Sequence, residues 1–436
     1  MSIKPIKTDL VGGTLLTLNT DKFKTELVTV TFPIPFEPVS ARLCSLMLSV
    51  LKQGCRRFPD IGSLSRRLDD LYDANIATMF DRSGDNVCAG FVCECLGKSY
   101  VPDGTDIMLG TLETLCDMIF DPLLSEDGLF AAETVENEKK ILCDNIRASD
   151  SDPRIHSYQL CRGTMCGGEP YGLRLLGSKA EVEKVTREDV TAYLGEFVSS
   201  SAPNIIYIGE RTREEAEKLV SPLAARLGKN AAALNKTILK HAPSHMRFAE
   251  EKMPVSQGKL TVGFRSDIGL CDPDLYAAIV FNDIFGGSPS SKLFRNVREK
   301  QSLCYSCSST FDFTKGVLYV RSGISSENKE RVQCEILKQF EEIKRGSISD
   351  YEFECSKKAI ENSYLQVDDS ALSLESYYRI RLLGGLCESV DTALERLSHV
   401  TKDDVIRAAG RFAPDTSAFI RASLPSGGEK EEFADE

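Results

Sequence analysis

Histidine is scarce in this 436-residue chain, where only His156, His241, His245 and His399 occur. Histidine-based metal sites therefore have few places to form. His241 and His245 have the four-residue spacing that a helix would need, but Pro243 lies between them and works against that geometry. No run approaches about 18 uncharged apolar residues, so no membrane-spanning helix is expected. The opening MSIKPIKTDL also lacks the apolar stretch of an export signal, and the expected location is the cytoplasm. G-x-x-x-x-G-K-[ST] is absent, and GGSPSSK lacks the second glycine of a phosphate loop. Positive charge is in deficit: 53 Lys+Arg against 65 Asp+Glu leave a net charge of −12. Phosphate backbones and anionic membranes are repelled by that balance, so neither nucleic acid nor membrane is an expected partner. A basic peptide is favoured only weakly, because salt screens such attraction beyond about 10 Å.

What is present fits a folded protein with a substantial core, since 42% of residues are hydrophobic and 27% charged. The length suggests two or three domains of roughly 100 to 200 residues. Fifteen cysteines are scattered through apolar segments such as VCAGFVCECL, which reads as reduced, buried thiols rather than a disulfide framework. A four-thiolate metal site from Cys93, Cys95, Cys304 and Cys307 is arithmetically possible. The Cys93/Cys95 pair, however, reads as one face of an alternating strand, and buried structural thiols are the simpler account.

An internal repeat organises the chain. VTREDVTAYLGEFVSSSAPNIIYIG, from Val185, aligns without a gap with VTKDDVIRAAGRFAPDTSAFIRASL, from Val400. The pairs Val185/Val400, Thr186/Thr401, Asp189/Asp404, Phe197/Phe412 and Ile205/Ile420 share one offset, 400 − 185 = 215. Each copy opens with a threonine cap and an acidic residue three positions on, then continues as an amphipathic helix and an apolar strand.

The rest of each half keeps the same order of elements. LVTVTFPI precedes the helix ARLCSLMLSVLKQG, with later helices near Asp106–Phe120 and Phe130–Ala148. In the second half LTVGF precedes LYAAIVFNDIFGG, followed by the strand GVLYVRSGI and helices near Lys329–Lys344 and Ser349–Leu365. Clustered strands and helices favour α+β over strict βαβ alternation. The division is a domain at residues 1–227, a linker at 228–255, a domain at 256–426 and a disordered acidic tail at 427–436.

FGGSPSSKLFRNVREKQSLCYSCSS, from Phe285 to Ser309, resembles the second-domain signature of the insulinase/pitrilysin family of inverted-motif zinc peptidases. There a Gly-Gly-Ser turn leads to a Leu-Phe-x-x-x-Arg-Glu-Lys helix and a Leu-x-Tyr-Ser strand. The duplication and the length agree with that family, and the resemblance covers nearly the whole chain. It implies two homologous α/β halves, each a mostly antiparallel sheet packed against helices. It also implies a substrate-binding role for Arg298 and Tyr305, seven residues apart. A guanidinium fork clamps a peptide carbonyl or carboxylate, and a phenol donates to an oxygen that gains negative charge. On spacing alone a surface ion pair and a packing ring would be the simpler reading, and the flanking signature reverses that preference.

Active members of the family carry His-x-x-Glu-His on a first-domain helix and a further glutamate on a later one. Aligning Gly54 with the glycine after that motif puts Ser45, Leu48 and Ser49 on the zinc residues, and shifting by one gives Cys44, Met47 and Leu48. The later ligand position holds Asn145, and Glu138 lies seven residues upstream. The resemblance thus implies no catalytic residue and no metal in this chain, with zinc in a paralogous partner subunit. The segment after the zinc-less helix resembles the inactive member of a two-component bacterial pair, in the elongation factor P modification-associated subgroup. The expected function is the substrate-binding subunit of a heteromeric peptide-processing zinc metallopeptidase. The alternatives are a purely structural, assembly or peptide-binding protein with no role in proteolysis, and a thiol enzyme using Cys44 with His156 brought near by the fold.

Overall fold

The computed structural model describes residues 3–200, 202–227 and 234–423. The tail at 427–436 lies outside them, as do residues 228–233 of the expected linker. The described strands are β1 (Pro5–Leu10), β2 (Gly13–Asn19), β3 (Thr25–Pro35), β4 (Asn75–Ser83), β5 (Asn86–Leu96) and β6 (Asn204–Gly209), then β7 (Arg247–Met253), β8 (Gly258–Arg265), β9 (Ser306–Asp312), β10 (Val317–Ile324) and β11 (Ala413–Ala422). The helices are α1 (Pro38–Leu51), α2 (Ile61–Asp69), α3 (Ile107–Phe120), α4 (Ala132–Ser151), α5 (Pro153–Met165), α6 (Lys179–Val182) and α7 (Arg187–Ser200). They continue as α8 (Arg213–Ala224), α9 (Leu275–Asn282), α10 (Lys329–Lys344), α11 (Asp350–Leu365), α12 (Ala371–Leu383), α13 (Val390–Ser398) and α14 (Lys402–Gly410).

Two compact units form, each from separate stretches of chain. Unit 1 comprises Met1–Arg147, Glu169–Ile238 and Asn362–Arg396; unit 2 comprises Ala148–Gly168, Leu239–Glu361 and Leu397–Glu436. The sheet of unit 1 runs β1-β2-β6-β3-β5-β4, and that of unit 2 runs β7-β11-β8-β10-β9. Strand for strand, β2-β6-β3-β5-β4 matches β7-β11-β8-β10-β9. In both, the first pair is parallel and the others antiparallel. The repeat seen in the sequence is therefore a repeat of topology, and the expected pair of mostly antiparallel sheets packed against helices is present.

The aligned threonine–aspartate caps do equivalent work in the two copies. Thr186 and Asp189 exchange backbone-to-side-chain hydrogen bonds at the start of α7, as Thr401 and Asp404 do at α14. Phe197 and Phe412 are buried, as are Ile205 and Ile420. Threonine and aspartate at these spacings satisfy amides that the first helical turn leaves without partners.

One pair of helices is exchanged between the halves of the chain. Helix α5, from the first half, packs on β11, β8 and β7, whereas α12, from the second half, packs on β6 and β3. The compact units thus differ from contiguous segments split at a linker. Within 228–255, moreover, Arg247–Met253 is an edge strand rather than a connection. Its sequence RFAEEKM is charged enough to discourage pairing with another chain, which is why it does not look like a core strand.

Each central strand carries two kinds of face. Val28, Val30 and Phe32 of β3 enter the apolar core with α1 and α7 residues, while Thr29 and Thr31 are buried on the opposite face. In unit 2 the hydroxyl of Thr261 on β8 lies 2.7 Å from that of Ser157 on α5. Because both faces are covered, the strands read as nearly continuous apolar runs. Among the described residues no helix is long and apolar enough to cross a membrane.

The C-terminal end of α5 is held by arginines. Arg265 of β8 donates Nε to Asp415 at 3.0 Å and Nη2 to the Met165 carbonyl at 2.6 Å. Arg247 of β7 donates to the carbonyls of Thr164 and Met165 at 2.8 and 2.7 Å. Arg265 and Asp415 are 2% and 0% exposed, and removing Arg265 leaves the buried carboxylate a longer ion pair, with Arg247 at 3.7 Å. Arg265→Met is expected to cost unit 2 about 3–5 kcal/mol, and Arg265→Met with Asp415→Leu less than the sum of the two single changes. Urea unfolding measures both; a loss below about 1 kcal/mol for the single variant would refute the role given to this pair.

Candidate functional site

Pro38 starts α1 at a position where its missing N–H is no loss. Gly54 follows the helix with φ +150°, and a Cβ there would meet the Phe58 carbonyl oxygen at 2.6 Å. The turn that it permits is closed by hydrogen bonds between Cys55 and Phe58, 2.8 and 3.0 Å.

Ser45 and Ser49, four residues apart on one face of α1, are half-buried, and Leu48 between them is 2% exposed. Asn145 is exposed on α4. Two neutral hydroxyls, an aliphatic chain and a carboxamide do not make a zinc-binding set, which calls for imidazole, thiolate or carboxylate. In the alternative register Met47 and Cys44 are completely buried. Burial pushes the Cys44 thiol up to about 12, against the Tyr193 hydrogen bond that favours its thiolate. That environment suits a packed thiol and not a nucleophile. His156, which the thiol alternative required, belongs to unit 2 and bonds to Glu251 at 2.7 Å. Cys93 and Cys95 lie on β5 of unit 1, and in unit 2 Cys307 lies on β9 and Cys304 just before it. Among the described residues no group of three or more His, Cys, Asp or Glu side chains is placed to hold a metal ion.

Glu138 was the acidic residue left over by the motif comparison, and its partner was not legible in the sequence. It is 8% exposed on α4 and accepts from Gln53 Nε2 at 2.7 Å, just past the end of α1. Burial raises its carboxyl above the ordinary glutamate range, with Lys52 opposing. Gln53 is separated from it by 85 positions, and no periodic pattern marks such a contact.

The second group of candidate residues sits in unit 2. After α9 the chain makes wider π-type turns over Asp283–Gly287 and Leu293–Lys300. Arg298 lies on the second, 42% exposed by its side chain, with its guanidinium 4.5 Å from the Phe294 ring centroid and 3.5 Å from Glu299. The Arg298 carbonyl accepts from Ser302, which adopts φ +50°, and Leu303 N–H returns to the Val297 carbonyl. Tyr305 N–H then bonds to the Gly323 carbonyl at 3.0 Å, which aligns the start of β9 with β10. The Tyr305 side chain is 72% exposed. Cys304, buried beside it, is held below the usual thiol range, first by the Cys307 hydrogen bond and also by Ser322 and the Arg298 charge, against its burial. The arrangement presents a guanidinium and a phenol at the surface of unit 2 from a backbone fixed on both sides.

The molecule thus combines two duplicated sheets, a first-half helix α1 without histidine or carboxylate and an arginine–tyrosine segment in the second half, with no metal-binding set among the described residues. Residues 184–360 match the family model described as peptidase M16 inactive domain. A probable inactive metalloprotease YmfF from Bacillus subtilis is 27% identical over 97% of this chain and 98% of its own. The crystal structure of a conserved protein from Enterococcus faecalis superposes with a TM-score of 0.89 at 23% identity, covering 98% of this chain and 100% of that one. A peptidase M16 inactive domain from Pseudomonas fluorescens gives a TM-score of 0.77 at 17% identity, covering 97% and 99%. The chain has the fold of these inactive-domain proteins, and its residues 184–360 are similar to the M16 inactive-domain family. None of these descriptions mentions elongation factor P.

The buried Glu138 gives a pH test. A carboxyl raised in the folded state opposes folding when ionised; that penalty is present at neutral pH and fades as pH falls through its folded value. Glu138→Gln keeps an acceptor for Gln53 and removes the ionised form. The variant is expected to melt higher than the wild type at pH 7.5, with the gap closing toward pH 4. Melting curves across that range check it, and a lower melting temperature for the variant at pH 7.5 would contradict it.

Proposed function

We propose that this chain is the substrate-binding, non-catalytic subunit of a heteromeric zinc metallopeptidase that processes peptides in the cytoplasm. Its partner is a zinc-bearing paralogue of similar size, as in a two-component bacterial pair. The observation that carries this reading is the contrast between the halves: Ser45, Leu48, Ser49 and Asn145 offer nothing to zinc, whereas Arg298 and Tyr305 stand exposed on an ordered segment.

In that division of labour the partner supplies the metal and the water that it activates. Arg298 orients the peptide by donating to a backbone carbonyl or a carboxylate, which a planar guanidinium does with two N–H groups at once. The Tyr305 hydroxyl donates to the oxygen that becomes negative in the transition state, and a single donor of this kind contributes about a hundredfold to rate. The description of the Bacillus subtilis relative as probably inactive is consistent with a chain that needs such a partner.

Purified alone, the chain is expected to hold no stoichiometric zinc by elemental analysis and to cleave no peptide. Mixed with its zinc-bearing paralogue it is expected to give peptidase activity that falls about a hundredfold with Tyr305→Phe or Arg298→Ala. Chelator-sensitive cleavage by the isolated chain would overturn the proposal. Unchanged turnover in the Arg298→Ala, Tyr305→Phe double variant would point instead to a purely structural or assembly role.

A further inference from the structure

The face of the unit 2 sheet that α5 covers is polar. Thr261, Arg321 and Ser308 form one row across β8, β10 and β9, and Lys259, Gly323 and Ser306 form the next. Helix α5 sits over β8 and β11, and beside it a pocket of about 170 Å³ opens. Arg154, Lys259, Arg321 and the hydroxyls of Ser157, Ser306 and Ser308 line it. A side chain at Gly323 would meet Gln257 Oε1 at 2.9 Å and Lys259 Nζ at 3.2 Å, so glycine leaves room there.

The charges in this pocket are not balanced. Arg154 is paired with Asp152 at 2.8 Å. Among the described residues, Lys259 Nζ reaches only the neutral amide oxygen of Gln257, and Arg321 only the Thr310 hydroxyl at 3.4 Å. His156 on α5 bonds through Nε2 to Glu251 on β7 at 2.7 Å. Burial, followed by the Arg154 charge, lowers the Lys259 ammonium below its ordinary range, with Asp152 opposing. Two cations without a carboxylate, in a hollow lined by hydroxyl donors, make a site complementary to an anion. The volume suits a side-chain-sized group, since one water occupies about 30 Å³.

Its position specifies what kind of anion. Ser306 follows Tyr305 directly, and Gly323 is the residue whose carbonyl receives the Tyr305 N–H. We infer that this pocket anchors a carboxylate of a bound peptide, from an acidic side chain or the chain end, beside the segment that carries Tyr305. The inference rests on the peptide-binding role proposed above. It goes further by naming an acidic anchor, although the net charge of −12 disfavours acidic ligands elsewhere on the surface.

The test uses the full chain alone and three fluorescein-labelled tetrapeptides: tetraglutamate amide, tetraglutamine amide and tetraglutamine with a free carboxylate. In low salt, fluorescence anisotropy is expected to show tetraglutamate amide binding at least about tenfold tighter than tetraglutamine amide. Lys259→Gln with Arg321→Gln should abolish that preference, while Lys338→Gln on an exposed turn of α10 should leave it. Binding of the free-carboxylate peptide at the level of tetraglutamate assigns the pocket to a chain end; binding at the level of the tetraglutamine amide assigns it to an acidic side chain. Should the double variant lose its cooperative melting transition, Arg321→Gln alone, at an exposed position, is expected to cut the preference several-fold. No preference in the wild type, or one unchanged in a folded pocket variant, overturns the inference. Because the assay needs no partner and reads binding, its failure is separate from a failure of the subunit role, which is read in turnover.

Discussion

The buried ion pair of Arg265 and Asp415 is the contact on which the arrangement of unit 2 turns. The two residues lie on β8 and β11, and the same guanidinium reaches the carbonyl that ends α5. Helix C-termini leave carbonyls without partners, and the negative end of the helix dipole favours a cation there. Arg247 on β7 repeats the capture, so two strands hold one helix end. Helix α5 in turn covers the hydroxyl face of β8 and forms one wall of the cationic pocket. A helix whose end is 82 to 100 residues away in sequence from the arginines that fix it thereby becomes part of the candidate binding surface.

The exchange of α5 and α12 follows from the same physics. Each sheet has one apolar face and one bearing threonine, lysine or arginine, and neither face can be left uncovered in the middle of a sheet. In unit 1 the second cover is α12, whose Glu375 and Arg379 are buried and bonded to each other at 3.1 Å. In unit 2 it is α5, through Ser157 and the arginine-held end. A polar face closed by a polar helix tolerates pockets lined with cations and hydroxyls, whereas the apolar face of the same strands has no place for them.

How much of this was legible depended on whether the signal was local. Helices α1, α3, α4, α10 and α11 announced themselves by periodicity, and the two threonine–aspartate caps by spacing, because those forces act within a few residues. Strands β3, β8 and β10 were visible as apolar runs. By contrast β7 hid behind its charged edge sequence, and β1 and β2 went unnoticed among polar alternations. The helix exchange has no sequence signature, since what assigns α5 to unit 2 is Arg265, some 100 positions later. The glycine-based register that placed Ser45, Leu48 and Ser49 on the zinc positions rested on Gly54, whose turn admits no side chain. The cationic pocket could not be read at all: Arg154, Lys259 and Arg321 are far apart in the chain, and only strand register brings the last two into adjacent rows.

The contrast between the halves is a statement about chemical tolerance. A zinc site needs several strongly donating side chains converging on one point, and Ser45, Leu48, Ser49 and Asn145 are not of that kind. A peptide-binding surface needs only exposed donors on a stiff support, and it persists wherever the backbone beneath is constrained. The support here is the turn from Arg298 to Ser302, the return of Leu303 to Val297 and the pairing of Tyr305 with Gly323. The Gly323 that fixes Tyr305 also keeps the neighbouring pocket open, so the two features share one strand pair. The α1 side chains Ser45, Leu48 and Ser49 and the exposed donors Arg298 and Tyr305 thus belong to different units and are of different chemical kinds.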